Sequence, residues 1–394
     1  MRFSDVIGQE AVKERLRSLA ANNRLGHAML LLARPGTGGL PLALAFAQYL
    51  LCDGVTRKPT SLFDAPAPTG PLPDDSCGTC PACRKTAGIA HPDLHFSFPT
   101  VSRKPGTPAV CRDFAGEWRD FLQKHAYGND FDWLQSIGAE NRQGKIFAAE
   151  CEDIHRRLSL KSYEGGLKIL ILWMPEYLEA EGNRLLKLIE EPPEGTLLLL
   201  VAEDYDSVLP TILSRTQLVR MPPLDSASIA EALVARCGAE VDRARTVASM
   251  AEGSYREALS LLQHHEDDWL TVAREWLNAI LRNGPVAQVK WVEETAKHGR
   301  EKQKQFLRYM GHLTEAAIRI RSMGDEAAGI QETEADFAVK LNRVAGMGQL
   351  GAMAEEFERA AYQVERNANG KILFLALSIR LHHIIRDNSL ILVR

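Results

Sequence analysis

The chain has 394 residues, 45% of them hydrophobic and 25% charged, the composition of an ordinary globular protein with room for two or three domains. A formal net charge of −4 is no footprint for strong autonomous nucleic-acid binding, although it allows a share in a larger DNA-binding assembly. No apolar run reaches membrane-spanning length, and Met1-Arg2-Phe3-Ser4-Asp5 leads into a charged helical pattern, so neither a signal peptide nor a membrane partner is expected.

Phe3 to Asn23 begins with a capping residue, Ser4 or Asp5, and reads as an amphipathic helix with Val12, Leu16 and Leu19 on one face. Ala28 to Leu32 reads as a buried strand, followed by a Gly/Pro loop and a helix ending at Cys52, with Pro41 in the first turn where its missing N–H costs nothing. Strand, glycine loop and helix are the layout of a phosphate-binding loop, whose pattern is G-x-x-x-x-G-K-[ST]. Laid on Ala33 to Leu40, the pattern is met in full only by Gly38. Ala33 replaces the first glycine, Gly39 the phosphate-contacting lysine, and Leu40 the hydroxyl that would hold Mg²⁺; Gly36 and Thr37 complete the loop. The fold of a phosphate site is expected without its chemistry. Backbone N–H groups and the helix N-terminus leave only weak nucleotide contacts.

Asp53 to Asp75, with Pro59, Pro66, Pro68, Pro71 and Pro73, reads as an irregular, mobile insertion. Cys77-x-x-Cys80-x-x-Cys83 forms a compact knuckle, and His91 to Pro99 a strand leaving it. Ser102 to Gly144 is charged and aromatic and reads as a second insertion with helical pieces, clear of the motifs. Ile146 to Leu160 is a predicted helix, Lys168 to Trp173 a buried strand, Gly182 to Glu191 a helix stopped by Pro192-Pro193. Thr196 to Ala202 is a third buried strand, Val208 to Leu213 a short helix before Ser214-Arg215-Thr216, and Gln217 to Met221 a last strand. Nearly all-apolar strands alternating with helices predict a parallel sheet covered on both faces. After Pro223 only helical periodicity remains, and no fixed repeat stands out. Three parts result: an α/β core over 1–222, carrying a knuckle region (52–99) and an insertion (102–144); a small helical lid over 223–266; and an all-helical domain over 267–394.

These stretches resemble the AAA+ clamp-loader family of bacterial DNA polymerase III, in particular its delta-prime members. The resemblance rests on Val6 to Glu10 (VIGQE), Arg24 to Leu31 (RLGHAMLL), YLLC with the cysteine knuckle, and His91 to Asp93 (HPD). Asn183 to Pro193 (NRLLKLIEEPP), Leu209 to Arg215 (LPTILSR) and Gly253 to Leu262 (GSYREALSLL) complete it. It covers the first two parts; the third matches in size, position and helical character, as a collar that mediates oligomerisation. The resemblance implies a cytoplasmic, ATPase-deficient member of a pentameric ring. Its partners would be the ATPase subunits (gamma/tau) and a delta subunit, and the assembled complex would meet the sliding clamp and primed DNA.

Active hydrolysis needs groups this chain lacks. After Lys168 to Trp173 come Met174-Pro175, where Asp-Glu should hold Mg²⁺ and polarise water, and Glu176 is at most a displaced acid. The polar sensor at the end of the third strand falls near Glu203, which would repel a γ-phosphate. Phosphoryl transfer depends on charge stabilisation and positioning, so hydrolysis is not expected, and ATP is not expected as a cofactor beyond those weak contacts. The alternative is an active clamp-loader ATPase with an unconventional nucleotide site using Glu176.

Three thiolates at Cys77, Cys80 and Cys83 need a fourth ligand for tetrahedral zinc, and the resemblance assigns Cys52. Such a closed site would be structural. An iron–sulfur run would need a fourth cysteine at Ala87, with His91 or Cys111 as substitutes, so zinc is the reading. A free-standing zinc-dependent DNA-binding module is opposed by the acidic balance. Cys151 and Cys237 are expected as small buried residues in helices, and His27 as a packed or hydrogen-bonded histidine and not a catalytic one. Arg215 and Ser214 match the family's Ser-Arg-Cys motif with Thr216 in third place, which implies an arginine finger reaching a neighbour's ATP site. Arg256 occupies the place of a nucleotide-sensing lid arginine and is expected to make a lid contact; Trp269, Trp276 and Trp291 are expected to pack in the helical collar.

Overall fold

A computed structural model describes residues 1–22, 24–56, 72–103, 106–139, 142–263, 269–323, 332–365 and 368–387. The chain divides into two units, Met1–Gly238 with Ala251–Ala258, and Ala239–Met250 with Leu259–Arg394. The stretch expected as a lid is shared between them.

The first unit is built on five parallel strands: β1 (Ala28–Leu32), β2 (Leu94–Ser97), β3 (Lys168–Trp173), β4 (Thr196–Ala202) and β5 (Gln217–Arg220), in the order β2-β3-β4-β1-β5. Every residue of β3 and β4 is buried, because helices cover both faces. Alternate side chains go to opposite faces. Met29, Leu31, Ile171 and Leu199 pack with Leu42 and Phe46 of the helix Gly39–Leu51; Leu30, Leu170, Leu198 and Leu200 pack on the other face with Ile154, Leu158, Ile189 and Ile212. Each such leucine gains about 1.5–3 kcal/mol by leaving water.

The predicted strands are present, with the one after the knuckle shortened to Leu94–Ser97. The single helix expected over Phe3 to Asn23 is broken. A turn, Phe3–Asp5, and a helix, Glu10–Ala21, flank a corner in which Gly8 and Gln9 have φ of 54° and 62°. The predicted helix over 182–191 is likewise a run of tight turns, Pro175–Leu185, ending in a short helix, Leu186–Glu190. Most of the proline-rich stretch read as mobile lies outside the described residues. Its end is tied down: the Asp75 carboxylate accepts the Phe3 and Ser4 N–H groups at 3.0 and 2.9 Å.

The second insertion does not stay clear of the motifs. Its helices Ala115–Lys124 and Asp130–Ser136 pack over the C-terminal ends of β2 and β3. The Trp118 ring stacks on Phe98 at 4.0 Å and meets Trp173 at 5.3 Å and Trp133 at 5.2 Å. The Trp133 indole N–H donates to the Pro99 carbonyl at 2.6 Å.

The second unit is helical throughout its described residues, with a 24-residue helix, Arg300–Met323, the longest of the chain's described helices. Trp276 and Trp291 stack at 4.8 Å and 8°, surrounded by Phe306 and Phe374, and the Trp276 indole N–H donates to Ser378 Oγ at 2.9 Å. These tryptophans pack as expected, and Trp269 is partly buried beside them. No helix among the described residues is long and apolar enough to cross a membrane.

Candidate functional site: the glycine loop after β1 and a four-cysteine cluster

The loop after β1 sits at the C-terminal end of the sheet, where open parallel sheets take their ligands. Ala33 N–H donates to the Ala202 carbonyl at 2.9 Å and holds the loop against β4. Gly38, with φ 98°, takes a backbone conformation that side chains avoid, and Gly39 opens the helix. A Cβ on Gly39 would stand 2.8 Å from Ala33 Cβ and 3.0 Å from Val201 Cγ1. A lysine therefore has no room here unless both neighbours shift. Leu40 is buried in the core, and the Thr37 hydroxyl is spent on the Arg34 carbonyl at 2.8 Å. Apolar packing and local hydrogen bonds fill the positions of this loop.

Residues from elsewhere crowd the same loop. Tyr127 Oη accepts the Ile7 N–H at 2.8 Å, and a Cβ on Gly38 would stand 3.1 Å from Tyr127 Cε1. The Tyr127 ring meets Tyr255 edge-on at 5.0 Å, and Tyr255 N–H donates to the Gly36 carbonyl at 3.0 Å. Burial pushes the Tyr127 hydroxyl above its ordinary pKa. Arg256 is turned toward the insertion, where Nη2 meets Asp132 Oδ1 at 2.8 Å and Nε the other oxygen. Asp132 is fixed in turn by a reciprocal capping pair with Asn129.

Glu176 and Glu203 lie at the ends of β3 and β4. Glu176 Oε1 accepts the Glu203 and Asp204 N–H groups at 2.6 and 2.9 Å, which commits this oxygen to the backbone. Burial raises the Glu176 pKa. Glu203 is raised well above the ordinary range by burial and by the charges of Asp130 and Glu176. The corner gathers carboxylates and offers poor company to a phosphate.

Cys52 caps the helix Gly39–Leu51, and Cys80 caps the helix Pro81–Ala87. The four sulfurs of Cys52, Cys77, Cys80 and Cys83 lie within 4.8 Å of one another, with Cys77 and Cys83 at 3.9 Å. Four sulfurs about 2.3 Å from one tetrahedral ion stand about 3.8 Å apart, so the set fits zinc. Backbone N–H groups already face the sulfurs: Cys77 N–H donates to Cys52 Sγ at 3.3 Å, Cys80 N–H to Cys77 Sγ and Cys83 N–H to Cys80 Sγ, both at 3.4 Å. Burial raises the Cys77 thiol, but hydrogen bonds from Thr79 and Cys80 outweigh it and bring the pKa to about 6. Burial pushes Cys83 up. Neither His91 nor Cys111 joins this group. His91 Nε2 faces Glu164 at 3.3 Å, and Cys111 is buried beside Phe98.

Arg215 follows the short helix Pro210–Leu213 and is partly exposed. Its Nε pairs with Glu190, and Nη1 donates to the Thr211 carbonyl at 3.0 Å and to Ser214 Oγ at 3.1 Å. Two sequence expectations need correction: Cys237 is exposed at the end of its helix, whereas Cys151 is buried, and His27 is exposed and joins the sheet only through its carbonyl, which accepts the Leu198 N–H. Tyr127 and Asp132 were not singled out in the sequence; the run HAYGNDFDW (125–133), aromatic and acidic together, is the signal that marks them.

A family model described as DNA polymerase III, delta subunit matches residues 8–225, more than half of the chain. The chain belongs to this family of clamp-loader subunits. The tau subunit of DNA polymerase III from Bacillus subtilis (strain 168) is 26% identical over 301 residues, 73% of this chain and 42% of the relative. The delta' subunit from the same organism is 24% identical over 259 residues, 66% of this chain and 60% of the relative. The delta' subunit of Escherichia coli (strain K12) is 26% identical over 254 residues, 64% of this chain and 58% of the relative. The chain thus spans less than two thirds of each of these relatives.

Proposed function

We propose that the chain is a delta-prime-type, ATPase-deficient subunit of the DNA polymerase III clamp loader. The observation that carries this reading is the clash of a Cβ at position 39 with Ala33 and Val201, which removes the phosphate-contacting lysine and the room for it. Family membership and the delta' relatives support the subunit type. An active ATPase using Glu176 is disfavoured, because the carboxylate is buried and one of its oxygens already serves two backbone N–H groups.

In this reading Arg215 acts in trans. It sits on the surface, held by Glu190 and Ser214, and its guanidinium would stabilise charge on a phosphoryl group bound by the adjoining ATPase subunit. Cys52, Cys77, Cys80 and Cys83 would hold a structural zinc, which locks the end of the helix Gly39–Leu51 to the helix Pro81–Ala87. The partners are gamma/tau-type and delta-type subunits, with the sliding clamp and primed DNA met through the assembly, in the cytoplasm.

The test is reconstitution with the tau-type and delta-type subunits of the same organism. Gel filtration should show the full chain in a stable hetero-oligomer, and clamp loading should depend on it. A chain that stays apart from those subunits, with the rest assembling and loading normally, overturns the proposal.

A further inference from the structure

We infer that the second insertion is a built-in occupant of the phosphate loop, with Tyr127 as its plug, so that nucleotide is excluded by a segment of the chain itself and not only by missing catalytic groups. Four observations converge. The insertion lies across the C-terminal ends of β2 and β3, the side of the sheet on which the loop opens. Tyr127 presses on Gly38, where any added carbon would touch the ring at 3.1 Å. Its hydroxyl takes the Ile7 N–H at 2.8 Å, which ties the ring to the corner at Val6–Gln9. Asp132 draws the Arg256 guanidinium to the insertion and supplies the anion that a phosphate would have been.

The plug combines the two features of a bound nucleotide that matter to such a site, a flat ring with a hydrogen-bonding edge and an anion beside an arginine, in residues that cannot diffuse away. An intramolecular occupant needs no association entropy, so an external ligand must displace it at a disadvantage. The same contacts tie the corner at Val6–Gln9, the phosphate loop and Tyr255 into one rigid cluster. The closure rests on residues of the first unit alone, so its failure would leave the clamp-loader reading standing.

Two measurements on the full chain test it. Hydrogen exchange read by NMR should show the Ile7 amide protected, and Tyr127→Phe, which removes only the acceptor, should speed its exchange about tenfold while the Glu10–Ala21 helix is unchanged. Equal exchange in both proteins overturns the inference. The second measurement restores the loop chemistry with Ala33→Gly, Gly39→Lys and Leu40→Thr and titrates a fluorescent ATP analogue with Mg²⁺. With Tyr127 in place binding should be undetectable or weak, and adding Tyr127→Gly should strengthen it by about tenfold or more. Equal binding with and without Tyr127, or no binding to either variant when both are folded by circular dichroism, shows that the tyrosine does not close the loop.

Discussion

The Ala33 methyl fills the space that a side chain at Gly39 would need, with 2.8 Å between that methyl and a Cβ built on the glycine. The two departures from the phosphate-loop pattern are thus one packing solution, and reversing either alone should be harmful. Gly39→Lys should cost about 1–3 kcal/mol through overpacking, and Ala33→Gly should recover part of that loss. Urea denaturation of both single variants and the double variant should give a coupling of about 0.5–3 kcal/mol. Strictly additive costs would mean that the two positions do not compete for the same space.

One zinc per chain is expected in freshly purified, reduced protein. Cys83→Ser should release it and lower the melting temperature, because metal affinity at such a knuckle is part of the folding free energy. Elemental analysis finding iron, or no metal, would remove the zinc assignment.

What could be read in advance follows the range of the interactions. β3 and β4 were legible because a strand buried on both faces is written as an unbroken apolar run. The knuckle was legible because its three close thiols share one short stretch, and the family resemblance supplied Cys52. The corner at Val6–Gln9 was not, since the polar spacing of that stretch continues the helical pattern while Gly8 and Gln9 turn the backbone out of it. Nor was the contact of Tyr127 with Ile7, which joins residues 120 apart and leaves no periodic mark. The insertion reads as clear of the motifs because its aromatic residues carry no regular spacing, although Trp118 and Trp133 pack on each other and Trp118 also on Phe98 and Trp173.

Asp93 should make a pH-dependent contribution to stability. Its carboxylate accepts from the Ser162 hydroxyl at 3.0 Å and from the Tyr163 and Glu164 N–H groups at 2.7 and 2.9 Å. Burial raises its pKa, but these hydrogen bonds outweigh burial and bring it below the ordinary 3.8. A depressed folded-state pKa gives stability that is fully present above the unfolded-state value and is lost as pH falls through the folded-state value. Asp93→Asn should therefore destabilise the chain at neutral pH and flatten the acid limb of its stability profile. An unchanged slope below about pH 4 would show that the carboxylate is not a linked group.

Arg215→Ala should leave the fold intact, because the Glu190 pair is exposed and such pairs contribute about 0–1 kcal/mol. If Arg215 serves a neighbour's ATP site as proposed, the loss should appear in the reconstituted loader with clamp and primed DNA, as slower ATP turnover at that one site. Arginine fingers contribute on the order of 10³–10⁵ in rate where they dominate, but the total will fall less because other subunits keep their own. Arg215→Lys should recover little, since an ammonium lacks the planar fork. Equal turnover by wild type and Arg215→Ala, with assembly confirmed, would reduce Arg215 to a surface ion pair.

The most direct test of the central claim is ATP binding and turnover by the isolated full chain, measured by calorimetry and phosphate release with Mg²⁺ present. The account expects no saturable binding at millimolar ATP and no hydrolysis above background, because the loop has no lysine, no room for one, and a carboxylate-rich corner beside it. Saturable binding, with turnover abolished by Glu176→Gln, would contradict it and make this chain an ATPase in its own right.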